Sequence, residues 1–164
     1  LVTPLLSALR ATPVASFIIL ALVWMGSARV PVFTGLIMTL PIVWANVVEG
    51  IEGCDPAYFE MALVFGLSRG KRLRYLYLPQ VAPPFAAACV TAMGLTWKAV
   101  IAAEVLGTPK MAIGSAIYAS KIYLETADLF AWTLVVIVPS VVFERLFARA
   151  LQGLMAKMGW GERP

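Results

Sequence analysis

Long apolar runs of helical length alternate along the chain with short polar interruptions. The first run covers residues 14–26, capped by Thr12 and Pro13. The second starts at Pro31 and reaches about Ile51, with a kink expected at Pro41. The third covers residues 80–106 and is entered through an elbow at Pro83 and Pro84. The fourth starts near Thr126 and Asp128, passes Trp132 and Pro139, and ends where Glu144 and Arg145 appear. A helix that crosses a hydrocarbon core needs about 20 apolar residues. Runs two to four meet that length, whereas the first must borrow flanking residues, thin the membrane locally or be shielded by neighbours. Residues 1–11 read as a partly amphipathic approach, and residues 146–158 as a basic amphipathic tail on the membrane surface. Residues 108–127 are less hydrophobic, and IGSAIYASKIYL within them suits a short helix at the outer surface or a partly re-entrant one. The expected fold class is all-α: a polytopic transmembrane helical domain of about four hydrophobic helical segments, with residues 1–164 forming one domain.

Composition agrees with that pattern. Hydrophobic residues make up 61% and charged residues 13%, against about 25% charged in soluble domains, and mean hydropathy is +0.86. Small residues crowd the stretch FAAACVTAMG in the third run, so neighbouring backbones can approach it closely and that helix is expected to be central. The net charge of +4 is carried by few residues with little aromatic interleaving, which favours a topological role over nucleic-acid binding. There is no histidine, so the commonest general base and metal ligand is missing. No metal spacing, paired carboxylates or nucleophile and base set occurs in any segment, and no enzyme activity is expected. Cys54 at a membrane edge and Cys89 inside a span are poorly placed to bridge. The chain begins at Leu1 without a signal peptide, and the expectation is that it is the carboxy-terminal part of a protein with further helices upstream.

The polar interruption at residues 55–79, DPAYFEMALVFGLSRGKRLRYLYLP, is the one long central stretch that cannot sit in hydrocarbon. Asp55 followed by Pro56 is a strong helix start. Phe59, Ala62, Leu63 and Gly66 recur at helical spacing and are expected on one face, with Gly66 ending the helix in a left-handed turn. Ser68 is then expected to cap a second short helix carrying Arg69, Lys71, Arg72 and Arg74, after which Pro79 opens the third apolar run.

Glu60, Met61 and Ala62, then three residues, Gly66, nine residues, Leu76, one residue, Leu78 and Pro79 resemble the EAA loop of bacterial ABC importer permeases, E-A-A-x3-G-x9-I-x-L-P. Met61 replaces the first alanine and Leu76 the isoleucine. A second stretch, GLTWKAVIAAEVLG at residues 94–107, followed by Gly114 and residues 123–126, resembles the branch of that family that imports nitrate, sulfonates, taurine and related small molecules. The resemblance covers about residues 31–152. It implies a transport subunit in the bacterial inner membrane, a likeness to the carboxy-terminal part of a type I importer permease. It also implies a second permease subunit, expected as a homodimer, cytoplasmic ABC ATPase subunits that bind ATP and Mg, and an extracytoplasmic substrate-binding protein. In it the 55–79 loop docks on the ATPase: Asp55 and Gly66 shape it, Phe59, Ala62 and Leu63 form an apolar wedge, Glu60 caps or meets a basic partner residue, and Leu76, Leu78 and Pro79 lead into the membrane. No cofactor is expected on this chain itself. Gly70 and Lys71 do not form a phosphate loop, because Phe65 stands where the first glycine is required and Arg72 where Ser or Thr is.

Orientation follows from the Lys and Arg distribution. With the 55–79 loop cytoplasmic, Arg10, Arg69, Lys71, Arg72, Arg74, Arg145, Arg149, Lys157 and Arg163 lie on or near the inner side and Arg29, Lys98, Lys110 and Lys121 do not, as the positive-inside rule asks. Both ends are then cytoplasmic, and the basic run is attracted to anionic membrane lipid. Lys98 and Glu104 are ionisable groups inside or at the edge of a span, where such groups usually face a polar cavity or a partner. Lys98 is expected at the translocation path or a neighbouring helix, Glu104 near the outer interface, and Trp97 on the same face as Glu104. A rival from another class is a non-transporting scaffold that recruits a cytoplasmic partner through the same loop.

Overall fold

The computed structural model describes residues 2–160; Leu1 and Arg163, named above for the approach segment and the charge count, lie outside them. All regular structure among the described residues is helical: α1 (Val2–Ala11), α2 (Val14–Trp24), α3 (Val30–Glu52), α4 (Pro56–Val64), α5 (Arg69–Arg72), α6 (Leu78–Gly107), α7 (Ile113–Ile122) and α8 (Thr126–Lys157). A wide π turn, Leu73–Tyr77, joins α5 to α6. Three helical runs are long and apolar enough to cross a membrane: Val30–Glu52, Arg69–Gly107 and Thr126–Lys157. The fourth hydrophobic segment, α2, has 11 residues and extends only about 16 Å at 1.5 Å per residue.

Three expectations about helix ends need correction. Pro79 does not open a helix, because the chain is continuously helical from Arg69 to Gly107. Proline has no N–H and its ring clashes with the carbonyl four residues back. The turn ahead of it is wide, with the Leu78 N–H donating to the Leu73 carbonyl five residues back, which opens the backbone where the ring must fit. Likewise Pro83 and Pro84 lie inside α6 rather than forming an elbow before it. The basic tail is not a separate surface helix, since α8 runs unbroken through Glu144 and Arg145 to Lys157. Its 32 residues extend about 48 Å, more than the roughly 30 Å hydrocarbon core, so one helix carries both the span and the tail.

Contacts divide the chain into two units, Leu1–Pro41 with Ala92–Arg145 and Ile42–Thr91 with Leu146–Pro164. In the first, Ile18, Ala21, Val30 and Ala103 form the buried core, and Val14, Leu22, Met25 and Phe33 pack around it. The short α2 is therefore shielded by protein on one side. Gly35 of α3 faces Thr96 and Val100 of α6, where a Cβ would lie 3.2 Å from each, and one turn on the Thr39 and Thr96 hydroxyls share a 2.7 Å hydrogen bond. The Arg10 guanidinium donates to the Pro41 carbonyl, which ties the approach helix to the proline in α3. In the second unit, Gly50 of α3 meets Pro84 of α6, 2.9 Å from where a Cβ would be. That contact explains why a proline pair is accommodated there: the neighbouring helix has no side chain in its way.

Candidate functional site

The second unit holds the 55–79 segment. The Asp55 carboxylate accepts a 2.9 Å hydrogen bond from the Ala57 N–H, and Pro56 occupies the first helical position, so α4 starts as expected. The Asp55 N–H donates to Gln80 Oε1 at 3.1 Å, and Gln80 Nε2 donates to the Leu76 carbonyl at 3.2 Å. Gln80, unrecognised in the sequence, thus clips the start of α4 to α6; its signal was an amide at the head of an apolar run.

The far end of α4 is a glycine-terminated cap. Gly66 has φ +60°, its N–H donates to the Leu63 carbonyl at 3.0 Å, and the Leu67 N–H donates to the Ala62 carbonyl at 3.0 Å. These two bonds satisfy carbonyls that a helix end leaves free. Arg72 Nε then donates to the Leu67 carbonyl at 2.9 Å, fastening the turn to α5. Ser68 stands at the N-cap position, yet its hydroxyl makes no capping bond, so α5 is held by Arg72 and by its continuation into α6 rather than by Ser68.

The faces of α4 differ from the sequence expectation. Ala62 is fully buried and Leu76 nearly so, and the Phe59 ring lies 4.9 Å from the Tyr77 ring at 55°. Leu63 does not join them and is 61% exposed. A nine-residue helix resting on one neighbour buries a narrow stripe, and Leu63, a 100° step on from Ala62, falls outside it. Its place is on a second, outward face with Tyr58, Met61, Val64 and Phe65, of which Val64 is 84% and Phe65 73% exposed. Sequence spacing missed Val64 and Phe65, although the unbroken apolar run MALVF carries more hydrophobic residues than one buried stripe can use. Glu60, Arg69, Lys71 and Arg74 are exposed as well. Burying a Leu, Val or Phe side chain is worth about 1.5–3 kcal/mol, a gain this exposed apolar shoulder does not collect within the chain. Leu78 is 40% exposed and Pro79 partly buried, both already within α6. Cys54, just before α4, is buried, its Sγ contacts the Gly50 carbonyl at 3.3 Å, and burial pushes its thiol up.

In the first unit the three intramembrane candidates do different things. The Trp97 indole N–H donates to the Val136 carbonyl at 3.3 Å, and its ring lies 6.0 Å from that of Phe143, so it fastens α6 to α8. The Glu104 carboxylate accepts a 2.9 Å hydrogen bond from the Gly114 N–H and so caps the first turn of α7, where a negative charge also suits the helix dipole. Lys98 is exposed on α6. Thr34, which the sequence did not single out, has a buried hydroxyl with no partner among the described residues. Among those residues no group of three metal-ligating side chains comes together.

The family described as binding-protein-dependent transport system inner membrane component matches residues 1–155. No curated protein matches the chain.

Proposed function

This chain belongs to the binding-protein-dependent transport inner membrane component family, and from that premise we propose that α4 is the element through which a cytoplasmic ATPase moves the membrane helices. The chain is a multi-pass inner-membrane permease component of an ABC transporter, a transport subunit without catalytic activity, and the family implies an ABC ATPase and a binding protein as partners. The carrying observation is the split of α4 into two apolar faces. One rests on the π turn at the head of α6, with Ala62 and Leu76 buried and the Phe59 and Tyr77 rings in contact, and the other leaves Leu63, Val64 and Phe65 free. A helix gripped on one side by the start of a span and open on the other transmits force between the two. ATP shifts the inward- and outward-facing states only by its difference in affinity for them, and α4 is where that difference reaches the membrane helices.

The solute is proposed to be a small organic or oxyanion molecule of the nitrate, sulfonate or taurine type, supported by the stretch at residues 94–107 and by a cation, Lys98, exposed on the same helix. Trp97 and Glu104 are already engaged by Val136 and Gly114, which leaves Lys98 as the residue to meet an anion. A second permease subunit, most simply another copy of this chain, completes the path. The 55–79 segment and the carboxy terminus face the cytoplasm in this reading.

The test is Val64→Asp and Phe65→Asp in the reconstituted transporter, each of which buries a charge at the shoulder if a partner covers it. The expected outcome is loss of ATPase co-purification or of binding-protein-stimulated hydrolysis by tenfold or more, with membrane insertion retained; unchanged stimulation in both variants contradicts the proposal.

A further inference from the structure

Two open cavities lie next to each other in the second unit and share one wall residue, Trp160. The first, about 400 Å³, runs between α6 and the last turns of α8 and is lined by Ala86, Ala87, Val90, Leu151 and Met155 besides the tryptophan. It is a mostly apolar slot between two helices, with Gln152 on its α8 wall, opened by the small α6 side chains. The second, about 700 Å³, is lined by Arg74, Tyr75, Leu78 and Gly159 as well as Trp160. Its cation comes from the π turn between α5 and α6.

Trp160 reaches both because the chain turns back at the end of α8. Gly159 has φ +69°, its N–H donates to the Ala156 carbonyl at 3.2 Å, and the Trp160 N–H donates to the Met155 carbonyl at 2.9 Å. This is the same glycine-terminated cap that closes α4. The indole is set at the junction of the two cavities by this turn, and an amphipathic ring suits a site that is apolar on one side and polar on the other.

The chemistry along the two cavities therefore changes from aliphatic to cationic over the length of one amphiphile, with a tryptophan at the change. The volumes are of the size that holds a small molecule or one chain of a larger one. Arg74 has Arg69, Lys71 and Arg72 as near neighbours in sequence, and such clusters beside a span attract anionic headgroups. We propose that this is a binding site for an anionic phospholipid, with its phosphate on Arg74 and one acyl chain in the slot between Ala87 and Met155. The site is separate from the shoulder of α4 and needs only the bilayer, so it stands or falls independently of ATPase docking. A lipid seated there wedges the start of the third apolar run against the end of α8 and makes the π turn sensitive to membrane composition.

The experiment uses the assembled transporter in phosphatidylcholine nanodiscs containing equal amounts of acyl-brominated phosphatidylglycerol or acyl-brominated phosphatidylcholine. The contribution of Trp160 is the difference in quenching between the protein and its Trp160→Phe variant. The expected result is a roughly fivefold preference for the glycerol headgroup, the size that one cation near the membrane surface supplies. Arg74→Gln brings the two lipids to parity, and Ala87→Phe, which fills the slot, lowers quenching by both. Equal quenching by both headgroups in the unaltered protein overturns the proposal, as does a preference that survives Arg74→Gln. Absence of Trp160 quenching while the ATPase is bound, with quenching restored on its removal, overturns it as well, because the partner protein is then the occupant.

Discussion

Gly66 is the residue on which the shape of the 55–79 segment turns, because φ +60° costs a non-glycine residue about 1–2 kcal/mol and a β-branched one most. There is open space around its Cα, with nothing within 4 Å of a built Cβ, so the cost of substitution is backbone strain alone. Gly66→Val is expected to lower binding-protein-stimulated ATP hydrolysis several-fold while Gly66→Asn, which tolerates the left-handed region, lowers it far less. Equal loss in the two variants would point to packing instead. Lys98 is the residue to vary for the path: Lys98→Met is expected to depress uptake with assembly intact, and unchanged transport would remove it from the path. Residues differed in how legible they were. Asp55, Pro56 and Gly66 act through their own backbone and side chain, so their roles were visible in the order of residues. Leu63, Val64, Phe65 and Gln80 depend on which neighbour lies against α4, and no local pattern states that.

At the scale of elements, the chain joins its helices through a few fixed junctions. Glu104 and Gly114 make one of them. A Cβ on Gly114 would come 2.7 Å from the Val105 nitrogen and 2.8 Å from the Ile101 carbonyl oxygen, so only glycine lets α7 approach α6 closely enough for the Glu104 carboxylate to cap it. Removal of the acceptor in Glu104→Ala is expected to cost about 0.5–2 kcal/mol, the range for a lost helix cap, read as a lower unfolding midpoint of the purified protein. Glu104→Gln keeps a carbonyl acceptor and is expected to stay close to the unaltered protein; an equal loss from both would mean that the charge rather than the hydrogen bond matters. Thr108 and Met111 both have positive φ in this connection, which the sequence does not signal, whereas a short helix within IGSAIYASKIYL was expected and is present as α7. The apolar runs themselves were read correctly because length and hydropathy govern insertion. Their ends were not, since Pro79, Pro83 and Pro84 normally break helices and are tolerated here through a wide turn and a facing glycine.

For the whole molecule, α8 is the clearest sign of what lies outside this chain. None of its residues is buried, and Phe130, Leu134, Val138 and Val142 are exposed, a surface suited to lipid or to another subunit rather than to water. The shoulder of α4 is likewise apolar and exposed, and in the proposed reading a soluble partner covers it. In the proposed orientation, which follows the Lys and Arg excess, that shoulder lies on the inner side of the membrane. The most direct measurement is thiol labelling of Val64→Cys, in a background lacking Cys54 and Cys89, with a membrane-impermeant reagent. Val64→Cys is expected to stay unlabelled in intact cells, to react once the inner face is exposed in inverted vesicles, and to be protected when the ATPase is bound. Labelling of Val64→Cys from outside intact cells would contradict it.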